Sequence, residues 1–285
     1  MVPVSERMHT LGASVEFSGV GAHTGRVVRV VINPSDAGRV VFRRRDLDGL
    51  GVEVDPERAE TQSCTLLAGE GACVRTVEHL LASLLMCGVD SAEVTLDGEE
   101  VPILDGSASP FVEAVEGAGR RPLRRDRRVL VLAKALFLDD GAASISLEPA
   151  PDLEVSYLIE YPHPAIGRQE MSLRLDGKSF KERIAPARTF GFLKDVSKLK
   201  ALGRARGSSL ENTVALDDTG VVNPPLRFPD EFVRHKILDL VGDLALLGAP
   251  LRARVRALRA GHALHLRAVR ALQRGREEFF PPPAA

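Results

Sequence analysis

The chain has 285 residues, enough for two domains of ordinary size or one large one at roughly 150 residues each. Its 44% hydrophobic and 27% charged content is that of a folded globular protein and excludes a disordered, collagen-like or coiled-coil chain. With 38 Lys plus Arg against 39 Asp plus Glu the net charge is −1, so the total charge points to neither nucleic acid nor an anionic membrane as partner.

The opening MVPVSERMHTLG lacks the apolar core of a signal peptide, and the apolar run from His79 to Met86 is far too short to span a bilayer. Cys64, Cys73 and Cys87 are odd in number and scattered, which implies no disulfide framework and no four-thiolate metal site. The expected compartment is a reducing cytoplasm. Short strands are predicted at Ala13 to Phe17, Arg26 to Asn33 and Arg39 to Arg43, separated by glycine-rich and Pro-Ser-Asp-Ala-Gly turns. The link GVGAHTG (19–25) carries three glycines and a histidine, but it lacks GxxxxGK[ST] and no helix follows, so it is not a phosphate loop.

From Arg75 to Cys87 the pattern changes: Val77, Leu80, Leu81, Leu84 and Leu85 recur at helical spacing, with Gly88 as the stop. Ala92 to Leu96 then alternates like a strand. The stretch GAGRRPLRRDRR (117–128) has the composition of a connector and places a domain boundary near residue 125. The second half repeats the outline. Strands are predicted at Val129 to Phe137, Ala143 to Leu147 and Leu153 to Tyr161, then a long helix from about Pro229 to Leu247 stopped by Gly248. A strand at Leu251 to Val255 and a terminal helix from about His262 to Arg274 follow. Helix, glycine stop and strand occur once in each half, so the fold class expected is α+β, with two similar domains at 1–125 and 126–285.

The long second helix carries the most informative residues. Val233, Ile237, Leu240, Val241 and Leu244 form one stripe, while His235, Asp239 and Asp243 line up on another at i, i+4 and i+8. A histidine and an aspartate one turn apart can chelate one metal ion; the competing reading is a surface pair that stabilises its own helix. The helix is otherwise so apolar that its charges look buried, and buried charges need a partner or a metal. Taken singly, His79 on the first helix is more often a core or capping residue; combined with His235 and Asp239 it would complete two imidazoles and a carboxylate, a ligand set that leaves a catalytic zinc one position open for water. Glu78 beside it is placed to take a proton from that water, or is an ordinary first-turn glutamate complementing the helix dipole. His262 follows Gly261 and can stabilise an oxyanion or protonate a leaving amine, with Asp243 keeping it charged, or is a surface residue of the terminal helix. His265 reads as a surface residue of the terminal helix. Lys236 is either a solvated charge or a cation for a phosphate or an oxyanion. Thr189, in ARTFGF (187–192), is positioned either to polarise a carbonyl or merely to pack in a loop.

The segments TVEHLLASL (76–84), PILDGSA (102–108), ARTFGF (187–192) and DEFVRHKILDLVGD (230–243), with Gly261-His262, resemble the UDP-3-O-acyl-N-acetylglucosamine deacetylases, zinc amidases of lipid A synthesis in Gram-negative bacteria. GVGAHTG and HPAIG (163–167) fit the same family, in the same order. The resemblance implies two-layer α+β domains, each a sheet with paired helices, the helix layers facing each other around the metal. It implies hydrolysis of the N-acetyl group of UDP-3-O-(3-hydroxyacyl)-N-acetylglucosamine, with His79, His235 and Asp239 as ligands of one Zn2+. Glu78 would be the general base, His262 the general acid oriented by Asp243, and Thr189 a partner of the carbonyl oxygen. Phe190 and Lys236 fall where the family contacts substrate. Leu193 and Val196, with Leu199, would line the acyl passage, Arg204 and Arg206 would shorten or cap it, and Arg259 would meet the diphosphate. Ala22 stands where a leucine is expected. The partner expected is this small molecule, with no nucleic acid, no stable membrane insertion and a monomeric state. The competing functions are a zinc amidohydrolase on another amide, for which no HExxH motif argues a metalloprotease, and a non-catalytic nucleotide-sugar or lipid-binding protein.

Overall fold

A computed structural model of the chain describes residues 6–61 and 63–282. The first half contains β1 (Arg7–Leu11), β2 (Val15–Val20), β3 (Val27–Pro34), β4 (Val40–Arg44), β5 (Leu50–Glu53), β6 (Ala59–Thr61), β7 (Thr65–Ala68), β8 (Cys73–Arg75), α1 (Glu78–Met86), β9 (Ala92–Leu96), α2 (Ser109–Ala118) and β10 (Arg120–Asp126). In the second half follow β11 (Leu130–Val131), β12 (Leu136–Asp139), β13 (Ser144–Glu148), β14 (Leu153–Tyr161), β15 (Gly167–Arg174), α3 (Gly177–Arg183), β16 (Phe190–Phe192), α4 (Leu193–Ala201), β17 (Val214–Leu216), α5 (Glu231–Leu244), β18 (Leu251–Leu258), α6 (His262–Arg274) and α7 (Arg276–Phe279). The chain is α+β.

The two halves share one topology. The first sheet runs β2-β3-β9-β4-β5 and the second β12-β13-β18-β14-β15, with β11 paired to β18. Numbered within its own half, each sheet has the order 1-2-5-3-4, and in each the pair between third and fifth strands is the parallel one. A parallel pair needs a crossover, and α1 and α5 lie in those crossovers. Strand patterning sets the faces: in β3, Val28, Val30 and Ile32 point inward between exposed neighbours. Each half also carries an insertion between its fourth strand and its first long helix. In the first it is the small sheet β6-β7-β8; in the second it comprises α3, α4 and the parallel pair β16–β17. Helix α1 packs on α5, which also contacts α6. Among the described residues no helix is long and apolar enough to cross a membrane.

Several expectations are corrected. The stretch expected to be a connector contains a strand, β10, paired antiparallel with β1; only its Leu123 is buried, so its arginines face water and mimic a linker in composition. The strand expected over Val129 to Phe137 is two, because β11 pairs with β18 and β12 with β13. Helix α1 starts at Glu78, since Arg75 ends β8 and Thr76 sits in the left-handed region at φ 56°. Helix α5 spans Glu231–Leu244 and passes into a 3-10 turn at Ala245–Leu247.

Candidate active site

Helices α1 and α5 meet backbone to backbone. A Cβ built on Gly242 would lie 2.3 Å from the carbonyl oxygen of Glu78, so no larger residue fits at the crossing. The first turn of α1 thereby brings Glu78 and His79 against the face of α5 that carries His235, Asp239 and Asp243, and all five are buried. His235 Nε2 stands 3.4 Å and His79 Nε2 3.8 Å from Asp239 Oδ1. The Nδ1 of His235 lies 3.1 Å from the carbonyl oxygen of Ala187, which turns Nε2 toward the aspartate. The donor atoms of His79, His235 and Asp239 all fall within 4.8 Å of one another. Two imidazoles and a carboxylate from two elements suit zinc in chemistry and number.

Electrostatics support the same set. Burial pushes His235 down to about 4 against the pull of Asp239, which leaves its imidazole neutral, the form that ligates. Burial also opposes the charge on Asp239, but Lys236, His235 and His262 outweigh it and hold the carboxyl well below the usual range. Lys236 Nζ stands 2.5 Å from Asp239 Oδ2, and despite its burial this carboxylate raises the lysine, so it stays charged.

A second set adjoins the first. His262, at the start of α6, has Nδ1 2.7 Å from Asp243 Oδ2, while its Nε2 points toward Glu78 Oε1 at 3.9 Å and Asp239 Oδ2 at 3.8 Å. Burial works against its charge, yet Asp243 and Asp239 raise it to about 9. The imidazolium in turn holds Asp243 down to about 2 despite complete burial. Burial raises Glu78, against the opposing pull of His262 and His79. Thr65 of β7 ties the set together: its hydroxyl is bonded to Asp243 Oδ1 and its backbone N–H donates to Glu78 Oε2 at 3.1 Å.

Of these groups, Glu78, His79, His235, Asp239 and His262 line a cavity of about 580 Å³. Thr189, Phe190, Leu193, Val196, Leu199, Lys236 and Ala22 all line it. Arg259 does not line it; its exposed guanidinium is paired with Glu160 at 3.4 Å. Arg204 reaches Ser63 Oγ at 3.2 Å, and the backbone N–H of Arg206 donates to His23 O.

The surface assignment of His265 is corrected. It is fully buried, with Nδ1 2.8 Å from Asp243 Oδ2 and Nε2 3.0 Å from Tyr157 Oη, because α6 turns this face onto α5 and the sheet. Sequence reasoning also missed Thr65, Glu100 and Glu231. Glu100 is fully buried and accepts hydrogen bonds from the N–H groups of His23 and Thr24 and from the Thr76 hydroxyl. It thus fastens the GVGAHTG loop, a wall of the cavity, to the residues that open α1 and holds Thr76 in its strained conformation. Glu231 accepts from the N–H and Nε of Arg188 and from the N–H of Arg227, which fixes the Arg188-Thr189-Phe190 segment. No local spacing marks these residues; the one available signal was His265, a histidine on the face of α6 shared with Leu272 and Val269.

A family profile of UDP-3-O-acyl N-acetylglycosamine deacetylase matches residues 8–274. Among relatives named UDP-3-O-acyl-N-acetylglucosamine deacetylase, that of Geotalea uraniireducens is 45% identical over 260 residues, covering 90% of this chain and 85% of the relative. That of Phenylobacterium zucineum is 45% identical over 270 residues, covering 93% and 92%, and that of Thermosynechococcus vestitus is 44% identical over 279 residues, covering 96% of each. With a match along nearly its whole length, the chain belongs to the UDP-3-O-acyl N-acetylglycosamine deacetylase family.

Proposed function

We propose that this protein hydrolyses the N-acetyl group of UDP-3-O-(3-hydroxyacyl)-N-acetylglucosamine and releases acetate, the committed step of lipid A synthesis. The observation that carries the reading is the convergence of His79, His235 and Asp239 beside Glu78 and His262 in the lining of one cavity. These three residues would hold the metal. A zinc ion bound there supplies Lewis acidity toward water and toward the amide carbonyl.

Glu78 takes the proton of the attacking water; burial lifts its affinity for that proton, as a general base working near neutral pH requires. His262, kept as imidazolium by Asp243, faces Glu78 from across the site and gives a proton to the departing amine nitrogen. The Thr189 hydroxyl donates to the carbonyl oxygen. Lys236, anchored on Asp239, adds fixed positive charge, and Phe190, whose ring lies 6.2 Å from that of His235, packs against the sugar. Leu193 and Val196 hold the acyl chain along the cavity wall. Arg259, exposed beside Glu160 outside the cavity lining, is assigned to the substrate's diphosphate.

The repeated strand order supports two α+β domains, 1–125 carrying Glu78 and His79 and 126–285 carrying His235, Asp239 and His262. The reading is of a monomer acting in the cytoplasm on a small-molecule substrate, with no nucleic-acid partner. The purified zinc form, incubated with the acetylated UDP-sugar, is expected to release acetate; no release from zinc-loaded protein would favour another amide or a binding role.

A further inference from the structure

Helix α4 and the loop behind it form the outer wall of the cavity, yet none of the nine residues of α4 is buried. Leu193, Val196 and Leu199 face the cavity, while Leu202 is 61% and Leu210 54% exposed. Around these leucines stand Lys194, Lys198, Lys200, Arg204 and Arg206. The chain has 31 Arg and only 7 Lys, and three of those lysines are in this one helix. Between residues 193 and 210 the only carboxylate is Asp195, so the segment carries a surplus of four positive charges in a chain whose net charge is −1.

Elsewhere on this protein many exposed arginines are paired, among them Arg29 with Glu16, Arg43 with Glu93 and Arg274 with Glu57. Among the described residues none of the five cations has a carboxylate within 4.0 Å. Lys194 lies over the Phe192 ring and Arg204 touches Ser63. The exposed leucines leave apolar surface in water, and the cations set among them, free of carboxylate partners, are available to anions; the two together suit the interface of an anionic bilayer. There leucines enter the acyl boundary and cations meet phosphate headgroups.

We propose that α4 and the loop to Leu210 dock the mouth of the cavity on an anionic phospholipid surface, so that an acylated substrate passes between bilayer and cavity without exposing its chain to water. The role of the docking rests on the reading of the cavity as an acyl-chain site; the docking itself rests on charge and exposed apolar surface. Each Lys or Arg at such a surface contributes about fivefold to partitioning, so five suffice for reversible binding without insertion of a membrane-spanning element.

The chain contains no tryptophan, so Leu202→Trp in the zinc-loaded protein places a single reporter on the segment. Its emission is expected to shift to the blue with phosphatidylglycerol vesicles, to stay unchanged with phosphatidylcholine vesicles, and to return when salt is raised. Adding Lys198→Glu and Lys200→Glu should lower co-sedimentation with phosphatidylglycerol vesicles on the order of 25-fold or more. The double variant should keep wild-type turnover of a short-chain, water-soluble substrate and lose it on long-chain substrate presented in those vesicles. No blue shift and no co-sedimentation with phosphatidylglycerol would overturn the docking. A raised KM for the soluble substrate in the double variant, without vesicle binding by the wild type, would assign the lysines to the substrate's diphosphate instead. Absence of turnover on both substrates, with vesicle binding intact, would overturn the deacetylase reading and leave the docking standing.

Discussion

Thr65 and Asp243 are bonded side chain to side chain although 178 residues separate them, and the same threonine holds Glu78 through its backbone N–H. The group read as general base and the carboxylate that keeps His262 charged are therefore fixed by one residue of the first half's insertion. Thr65→Val keeps the shape and the backbone donor but removes the hydroxyl from a buried charged partner. Turnover is expected to fall by about 10-fold or more with little change in KM or zinc content, and Thr65→Ser to recover most of it. Equal losses in the valine and serine variants would count against a role for the hydroxyl.

Glu78→Gln preserves size and removes the base. We expect zinc content by elemental analysis to match wild type and kcat to drop by on the order of 10²-fold or more. Near-normal kcat would hand the proton to another group.

His262 is held protonated up to about 9 by Asp243 and Asp239 against its burial. Since an acid works only while it holds its proton, kcat/KM should fall as pH rises through that value. Asp243→Asn removes the largest support for the charge and should bring this alkaline limb down by at least about 1 pH unit. His262→Ala should retain zinc and abolish the limb together with most of the turnover. A wild-type profile whose alkaline limb survives in His262→Ala would refute the assignment.

Asp239→Ala takes the only carboxylate from the ligand set and leaves Lys236 without its partner. After dialysis the variant should contain no stoichiometric zinc. In wild type, added zinc should stabilise the fold by about 2.7 kcal/mol at a hundredfold excess over Kd, and in the variant by nothing measurable. Full zinc occupancy in Asp239→Ala would exclude it as a ligand.

Glu231 tests the support of the Thr189 loop. Burial opposes its charge, but the side chain and N–H of Arg188 and the N–H of Arg227 hold it below its ordinary 4.5. A lowered value means that its stabilisation is complete above about pH 4.5 and fades as acid titrates it through the lower folded value. Glu231→Ala, which strands Arg188, should cost on the order of 3 kcal/mol at pH 7 and less in acid, as read by denaturant unfolding. A deficit that grows on acidification would contradict the linkage.

Regular elements were legible wherever one periodicity prevailed. Leu153 to Tyr161 and His262 to Arg274 were read to the residue because each keeps a single burial pattern along its length. Reading failed where pairing rather than pattern decides: β10 is a strand because β1 lies beside it, and its arginines alone say linker. The juxtaposition of His79, His235 and Asp239 was readable because two of them sit one turn apart on a helix and the third opens another helix. Thr65, Glu100, Glu231 and His265 were not, since each owes its place to a partner far along the chain: 178 residues from Thr65 to Asp243 and 77 from His23 to Glu100. The repeated sheet order was faint in sequence for a related reason, as the insertions differ and the shared strands keep only their alternation.

The contact at Gly242 sets how far this centre can drift in evolution or in engineering. Because that crossing admits only a hydrogen atom, a methyl group there must push α1 and α5 apart, and with them the imidazoles of His79 and His235 that the two helices carry. The same displacement opens the buried layer of Leu80, Leu81, Leu238 and Val241 around the crossing, so the spacing of the two imidazoles and the packing of the core depend on one glycine.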